Sequence, residues 1–409
     1  MADIPIPVDH RQRGFSLAEL LVSILVTSLV LLATLALVNF SSQVSRVQGH
    51  VTEMQQSLRI AQSDVVRTVR MAGRGPLPAG NLPNGFAVGL RNNVPAGETI
   101  GGPGTPEVLE GTDVLTVRGV FDTPIYRIQP AAAGAFQLDG AGGGTLTIRS
   151  QEPANLPQNL QPLRDAIASG RPEALLLVSP ENASLYAVVE LAPGASNTGN
   201  PDQVTVGFRI TGGTHSAAYG AFSPAGPGVF PPNLTSVAFV GILEEYRFYV
   251  RDERGVAPDG GPDLVPKLSR ARVYPGTDFP WADNLQSWQT DIADNILDVQ
   301  VALGLDTPLD GCTVQEDEVN CSIAESADGQ NDDWLYNSAR DAAAGWAGFP
   351  LHYVRLTTLA RTDRRDLKYR APLLVRLEDH DFSGSAFNDP KERMFRRRVL
   401  QTVIDMRNL

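Results

Sequence analysis

One carboxylate, Glu19, has the position in this sequence from which chemistry is most clearly expected. It is the single ionisable side chain in the apolar stretch Phe15–Phe40. An acid in a membrane helix costs free energy, on the order of 2.5 to 3.5 kcal/mol at the bilayer centre and less toward an end. Opposite charges in a low dielectric remove each other's desolvation penalty only as a pair. Glu19 is therefore predicted to need a partner.

The apolar stretch is long enough to span a bilayer, for which about 20 residues suffice. A plain secretory signal fits poorly, because its apolar region covers only about 7 to 15 residues and ends in a small-residue cleavage site. Arg11 and Arg13 precede the stretch and favour a cytoplasmic N-terminus. The bulk of the chain is therefore predicted to face outward.

Cys312 and Cys321 are the two cysteines of the chain, and both fall in the outward-facing part. An even cysteine count in an oxidising compartment predicts a disulfide. A metal or redox use has weaker support, because no C-x-x-C motif and no nearby histidine accompanies the pair.

The same region is acidic and has two interpretations. Asp306, Asp310 and Asp317 fall at positions 1, 5 and 12 of an EF-hand-like calcium loop, but Pro308 at position 3 supplies no side-chain ligand. A calcium loop and a solvated acidic loop both remain open, with the solvated loop favoured and no other cofactor expected.

Enzymatic and nucleic-acid functions find little support. Three histidines of the later chain, His215, His352 and His380, have no metal-ligand spacing, and neither G-x-S-x-G nor a P-loop is present. The adjacent acids Glu244 and Glu245 are interpreted as solvated strand residues. A net charge of -12 disfavours nucleic acid. Local basic clusters are interpreted as solvated faces or subunit contacts, with DNA or an anionic surface as the alternative: Arg361, Arg364, Arg365, Lys368 and Lys391 through Arg398.

Helical spacing continues beyond the apolar stretch. Apolar residues recur every three or four positions from Val44 to Val69, and the breakers Gly73, Gly75 and Pro76 follow. The pattern predicts one helix over Phe15–Ala72, with the first half in a membrane and the second half under a globular head.

The remaining chain alternates short β-rich runs with segments rich in proline and glycine, which predicts a loop-rich antiparallel β head, with two lobes as one arrangement. Loops are predicted over 75–111, 130–144, 191–202 and 220–233. Strands are predicted over Val114–Val120, Thr145–Arg149, Ala174–Val178, Leu185–Leu191, Val204–Ile210, Val237–Val250, Lys267–Tyr274, Ile296–Leu305, His352–Arg361, Leu373–Leu377 and Arg397–Met406.

The N-terminal residues carry a family resemblance. The run Gly14-Phe15-Ser16-Leu17-Ala18-Glu19-Leu20-Leu21 resembles the class III leader junction of type IV pilins and type II secretion pseudopilins. The resemblance implies that a membrane prepilin peptidase cuts after Gly14 and methylates Phe15. It also implies that Glu19 neutralises the terminal amine of a neighbouring subunit during polymerisation. The implied fold is α+β, with leader 1–14, helix 15–75 and a periplasmic head 76–409. Within the helix, residues 15–40 would lie in the membrane or, after assembly, in the filament core.

Within that superfamily, the C-terminal half resembles the PilW-type minor pilins. The resemblance is moderate over the segments 237–306 and 395–409, and it hardly extends to 76–236. It implies a structural, non-enzymatic minor pilin of the type IV pilus, made as an inner-membrane prepilin and built with other minor pilins and the major pilin into an initiating tip complex. The alternatives are a J-type pseudopilin of type II secretion and a tip adhesin or DNA-capture subunit.

Overall fold

A computed structural model describes residues 16–75, 87–102, 105–129, 135–140, 142–151, 157–182, 184–192, 201–256, 262–305, 334–337 and 351–406. The chain divides into two compact units, Met1–Glu53 and Met54–Leu409. The fold is α+β: a long N-terminal helix is followed by a head of mostly antiparallel β structure.

The N-terminal helix, α1, extends over Leu17–Arg70, within two residues of its predicted bounds. Apart from Gly49, its sequence contains no glycine or proline, so nothing interrupts the helical hydrogen bonds. The chain leaves the helix through Gly73 and Gly75, whose φ angles are 73° and 116°. A Cβ atom at Gly75 would lie 2.9 Å from Val120 Cγ2, so both backbone conformation and space require glycine there.

The part of α1 from Met54 onward belongs to the head unit and buries one face. Met54, Leu58, Ala61, Val65 and Val69 are buried, at spacings of three and four residues. The buried stripe thus begins at Met54 and not at Val44, which is exposed.

Polar contacts also fix the second half of α1 in the head. Gln62 is buried on the same helix, and its Nε2 donates to the backbone oxygen of Leu400 at 2.7 Å. Thr402 Oγ1 donates to Gln62 Oε1 at 2.6 Å. The helix is therefore held to the C-terminal strand by hydrogen bonds as well as by apolar burial.

The largest sheet has 11 strands and surrounds one long strand, β9, which pairs with four others. In chain order the strands are β1 Val88–Arg91, β2 Val114–Gly119, β3 Tyr126–Arg127, β4 Phe136–Leu138, β5 Gly143–Arg149, β6 Ala174–Val178, β7 Tyr186–Leu191, β8 Gln203–Arg209, β9 Phe239–Val256, β10 Pro262–Val273 and β11 Gln289–Asp294. Every strand pairing among the described residues of this sheet is antiparallel.

A second sheet of four strands has the order β13-β12-β14-β17. Its strands are β12 Ile296–Leu305, β13 Trp334–Leu335, β14 Leu351–Arg361 and β17 Arg397–Asp405. All ten residues of β12 are buried, which agrees with its nearly continuous apolar sequence. A short hairpin, β15 Arg376–Leu377 and β16 His380–Asp381, lies between β14 and β17 in sequence.

Most predicted strands are confirmed, and Ala174–Val178 and Ile296–Leu305 have the predicted bounds. The strand predicted over Leu373–Leu377 is wrong, since only Arg376–Leu377 is extended and paired. Strands β1 and β4 lie inside segments predicted as loops. Three short helices were not predicted: α2 Gln161–Ser169, α3 Ser216–Gly220 and α4 Leu285–Trp288.

Candidate functional site

The first turn of α1 contains a reciprocal hydrogen-bond pair. Ser16 N donates to Glu19 Oε2 at 2.9 Å, and Glu19 N donates to Ser16 Oγ at 3.2 Å. This is a capping box, in which a serine at the N-cap and a glutamate three residues later satisfy backbone N–H groups that have no partner within the helix. Glu19 therefore has a partner within its own chain as well as a predicted one outside it.

The capping box was missed in the sequence analysis although its signal was present. The spacing S-x-x-E just before an apolar run is a helix-start pattern. The charge of Glu19 alone does not indicate this second use. Glu19 Oε1 takes no part in the cap, so one oxygen of the carboxylate can meet another group while Oε2 holds the turn.

The helix beyond the cap presents apolar side chains around its circumference. Leu21, Leu25, Leu32 and Phe40 are all more than half exposed, and α1 is long and apolar enough to cross a membrane. Threonine hydroxyl groups in this part donate hydrogen bonds to backbone oxygens of their own helix. Thr27 Oγ1, for example, donates to the Ser23 backbone oxygen at 2.7 Å. This suits a lipid or filament-core environment, where no water is available to polar groups.

Several predicted site residues lie outside the described residues. They are Gly14, Phe15, Asp306, Asp310, Cys312, Asp317 and Cys321. The cleavage, disulfide and calcium assignments therefore stay predictions.

The disulfide prediction can be tested with the natural chain. Alkylation of the denatured, unreduced protein should label neither Cys312 nor Cys321, because both sulfurs would already be bonded. The same alkylation after reduction should add two labels, as counted by mass spectrometry. Stoichiometric labelling without reduction would show two free thiols.

The interpretation of Glu244 and Glu245 as solvated strand residues is wrong, because both are fully buried in β9. The Glu245 carboxylate accepts three hydrogen bonds: from Arg118 Nε at 2.6 Å, from Arg247 Nε at 2.8 Å and from the Gly276 backbone N–H at 2.8 Å. Burial acts to raise its pKa, but the guanidinium groups of Arg118 and Arg247 outweigh it and hold the pKa of Glu245 below its usual value.

The desolvation of the buried Glu244 carboxylate is offset less completely by nearby positive charge than that of Glu245. Burial raises the pKa of Glu244 to about 7, against the opposing charge of Arg272, whose Nη2 lies 2.8 Å from Glu244 Oε1. Glu244 Oε2 accepts the backbone N–H groups of Phe121 and Asp122, each at 2.7 Å. These acids fix the backbone after β2 and after β10, so their arrangement supports the fold.

The histidines of the head have different surroundings. His215 lies 4.7 Å from the Tyr274 ring, centroid to centroid, and burial lowers its pKa. His380 Nδ1 lies 2.8 Å from Asp298 Oδ2, and its ring stacks on Phe382 at 4.1 Å. The structure thus places these two histidines in separate clusters.

An open groove of about 1000 Å³ lies beside His215. Tyr274, Phe279 and Trp288 contribute aromatic rings to it, and Asp283 contributes a carboxylate. Phe279 is 62% exposed, and its ring centroid lies 5.4 Å from that of the buried His215, so an exposed aromatic residue packs on a buried one. Aromatic lining with a few polar groups is typical of a ligand-binding groove. The sequence analysis did not identify it, because its residues come from distant segments.

Comparison with known proteins agrees with the N-terminal features. A family model described as the prokaryotic N-terminal methylation motif matches residues 9–35. No curated protein and no solved structure matches the chain significantly. The motif supports a type IV pilin-like or pseudopilin-like subunit that is anchored in a membrane, processed by prepilin peptidase and assembled with other pilins.

Proposed function

We propose that this protein is a structural minor pilin of the type IV pilus, of the PilW type, which acts in the initiating tip complex. The observation that carries the proposal is Glu19, a single carboxylate shortly after Gly14 within the matched motif. In a chain processed after Gly14, this carboxylate would lie one helical turn from a new terminal amine. A neighbouring subunit's amine and Glu19 Oε1 would then neutralise each other in the filament core.

The C-terminal resemblance supports the PilW type within this class. The segments of this resemblance contain several of the long strands of the head. Segment 237–306 contains β9, β10 and β12, and segment 395–409 contains β17. The head would then be periplasmic in the membrane-anchored precursor and exposed on the filament after assembly. Its proposed roles are pilus assembly and, through the pilus, motility and adhesion.

Mass spectrometry of sheared pili tests the proposal directly. We expect peptides of this protein in pili from wild-type cells, at a small fraction of the major pilin, and fewer pili after deletion of its gene. Retained type II secretion in the deletion strain would argue against the J-type pseudopilin. Lost secretion with normal piliation would contradict the pilin assignment and support the pseudopilin.

Leader processing gives a prediction about one bond. The peptidase is expected to need a minimal residue before the cleaved bond, and Gly14 provides it. The mature protein should begin at N-methyl-Phe15, and Gly14→Val should leave the full-length precursor in the membrane. Intact-mass measurement of the purified membrane protein distinguishes the two forms. A mature N-terminus elsewhere, or normal trimming of Gly14→Val, would contradict the assignment.

The aromatic groove favours a second candidate function, that of a tip subunit whose head binds a ligand. The groove combines the exposed Phe279 ring with the carboxylate of Asp283. Cells that make normal pili but do not adhere after loss of this protein would favour this function. Loss of the pili themselves would favour the assembly role.

A further inference from the structure

The surface that carries this inference consists of two basic segments, 361–376 and 391–398, which we call the basic surface. Together they contain eleven basic and three acidic residues, in a chain whose net charge is -12. The first segment follows β14 and contains the residues wrongly predicted as a strand. The second segment leads into β17.

The backbone of the first segment is fixed along its length. Asp366 N donates to Met394 O at 2.9 Å, and Ala371 N donates to Arg393 O at 2.7 Å. Leu374 N donates to Asn388 Oδ1 at 2.9 Å. The segment is therefore held to the chain that precedes β17, and its outward side chains are presented from an ordered backbone.

Three large apolar side chains of this fixed segment are directed outward. Leu367, Leu373 and Val375 are 77%, 58% and 73% exposed. The neighbouring Ala371 is fully buried, so the segment has an inner face as well as an outer one. Leu373 and Val375 are exposed two residues apart on an ordered backbone and are flanked by the exposed Arg370 and Arg376, an arrangement that favours an interaction surface over scattered exposure.

Charged side chains of the basic surface divide by exposure into an inner set and an outer set. Arg361 forms an ion pair with Glu392, and Arg396 Nη2 donates to Asp366 Oδ2 at 2.9 Å. The outer set contains Arg364, Lys368, Arg370 and Arg376, all exposed. Three acids lie near this set: Asp363 is 3.6 Å from Arg364, Asp381 is paired in register with Arg376, and Asp366 accepts the backbone N–H of Lys368 at 3.1 Å. Cations still outnumber anions on the outer face.

We propose that the basic surface binds the anionic surface of a lipid bilayer. Leucine and valine side chains enter the boundary between headgroups and acyl chains, while flanking arginine and lysine side chains are attracted to anionic lipids. Nucleic acid is a poorer match, because phosphates recruit the cations but offer nothing to Leu373 and Val375. An acidic surface on another subunit is the competing occupant, and photo-crosslinking distinguishes it from lipid by the identity of the adduct.

Membrane anchoring keeps a bilayer available to the rest of the chain. The apolar stretch that would be anchored ends at Phe40, and the head follows it in the same chain. The proposal rests on membrane anchoring and does not depend on the PilW assignment.

Photo-crosslinking of the full chain in nanodiscs tests the proposal. Leu373 is replaced by p-benzoylphenylalanine, and the lipid adduct is quantified by mass spectrometry in discs of phosphatidylcholine alone or of phosphatidylcholine mixed with phosphatidylglycerol. We expect about tenfold more adduct in the anionic discs, because several cations contribute to the attraction. The pair Arg364→Glu with Arg370→Glu should abolish that increase, as should high salt.

Matched controls make each result decisive. The same amino acid at Val229, which is 52% exposed elsewhere on the head, should give little lipid adduct in either disc. Equal adduct at positions 229 and 373, or equal adduct in both discs, would overturn the proposal. In cells, an adduct of position 373 with another pilin in place of lipid would overturn it in favour of a subunit contact.

Discussion

Glu19→Gln is expected to lower the amount of this protein in sheared pili by about tenfold or more, while its membrane abundance and leader cleavage stay normal. Glutamine at this position can keep the hydrogen bond to the Ser16 backbone N–H, as in other capping boxes. It cannot neutralise a terminal amine. The variant therefore removes the charge and preserves the cap, which Glu19→Ala does not do.

Ser16→Ala is the matched control, because it removes the other half of the cap and leaves the carboxylate in place. If pairing with a neighbouring amine is the role of Glu19, Ser16→Ala should enter pili and both Glu19 variants should not. If the cap alone matters, Glu19→Gln should behave as wild type and Ser16→Ala should fail. Wild-type incorporation of Glu19→Ala would refute both roles. Quantitative mass spectrometry of pili and membranes provides the readout.

The second large effect is expected in the head. Glu245→Gln should destabilise the head by about 3 to 5 kcal/mol, because it leaves the charges of Arg118 and Arg247 without their shared buried carboxylate. Urea unfolding of the full chain in detergent, followed by tryptophan fluorescence, measures the change. The midpoint should fall without a large change in slope.

Glu244→Gln is the control on the same strand and should cost clearly less. Burial already raises the pKa of Glu244 to about 7, so its neutral form is well populated at neutral pH. The contributions of the two acids to the stability of the fold also change in opposite directions with pH. The stability that Glu245 contributes is lost as pH falls below the usual glutamate range, since its pKa is lowered on folding. Because the pKa of Glu244 is raised on folding, the fold loses stability as pH rises above the usual glutamate range, until Glu244 is ionised above about 7. Equal losses for the two variants would contradict this account.

Sequence reasoning succeeded where local pattern and environment agree. The uninterrupted apolar run Ala174–Val178 forms a buried strand with its predicted bounds. It failed for Glu244 and Glu245 because their burial depends on arginines from β2, β9 and β10, which only the fold brings together. Val375 and Leu373 suggested a strand because both are apolar, but no strand among the described residues pairs with segment 371–375. Its backbone is satisfied in part by Asn388 instead.

The candidate site shows the same division. Glu19 was identified from the sequence alone, and its cap, which was missed, has its signal in adjacent residues of the same helical turn. The aromatic groove could not be predicted, since Thr105, His215 and Trp288 are far apart in the chain. Sites built from one helical turn are visible in sequence, whereas sites built from several loops require the tertiary fold.

The contact of Gln62 with Leu400 also constrains the order of events during synthesis. These residues are 338 positions apart, and the strand that carries Leu400 is the last one described. Contacts this distant in sequence form late, because the intervening chain must be ordered or closed first. The face of α1 from Met54 to Val69 therefore stays incompletely covered until β17 has been synthesised. During that interval the nascent protein exposes an apolar helix that a chaperone would be expected to shield.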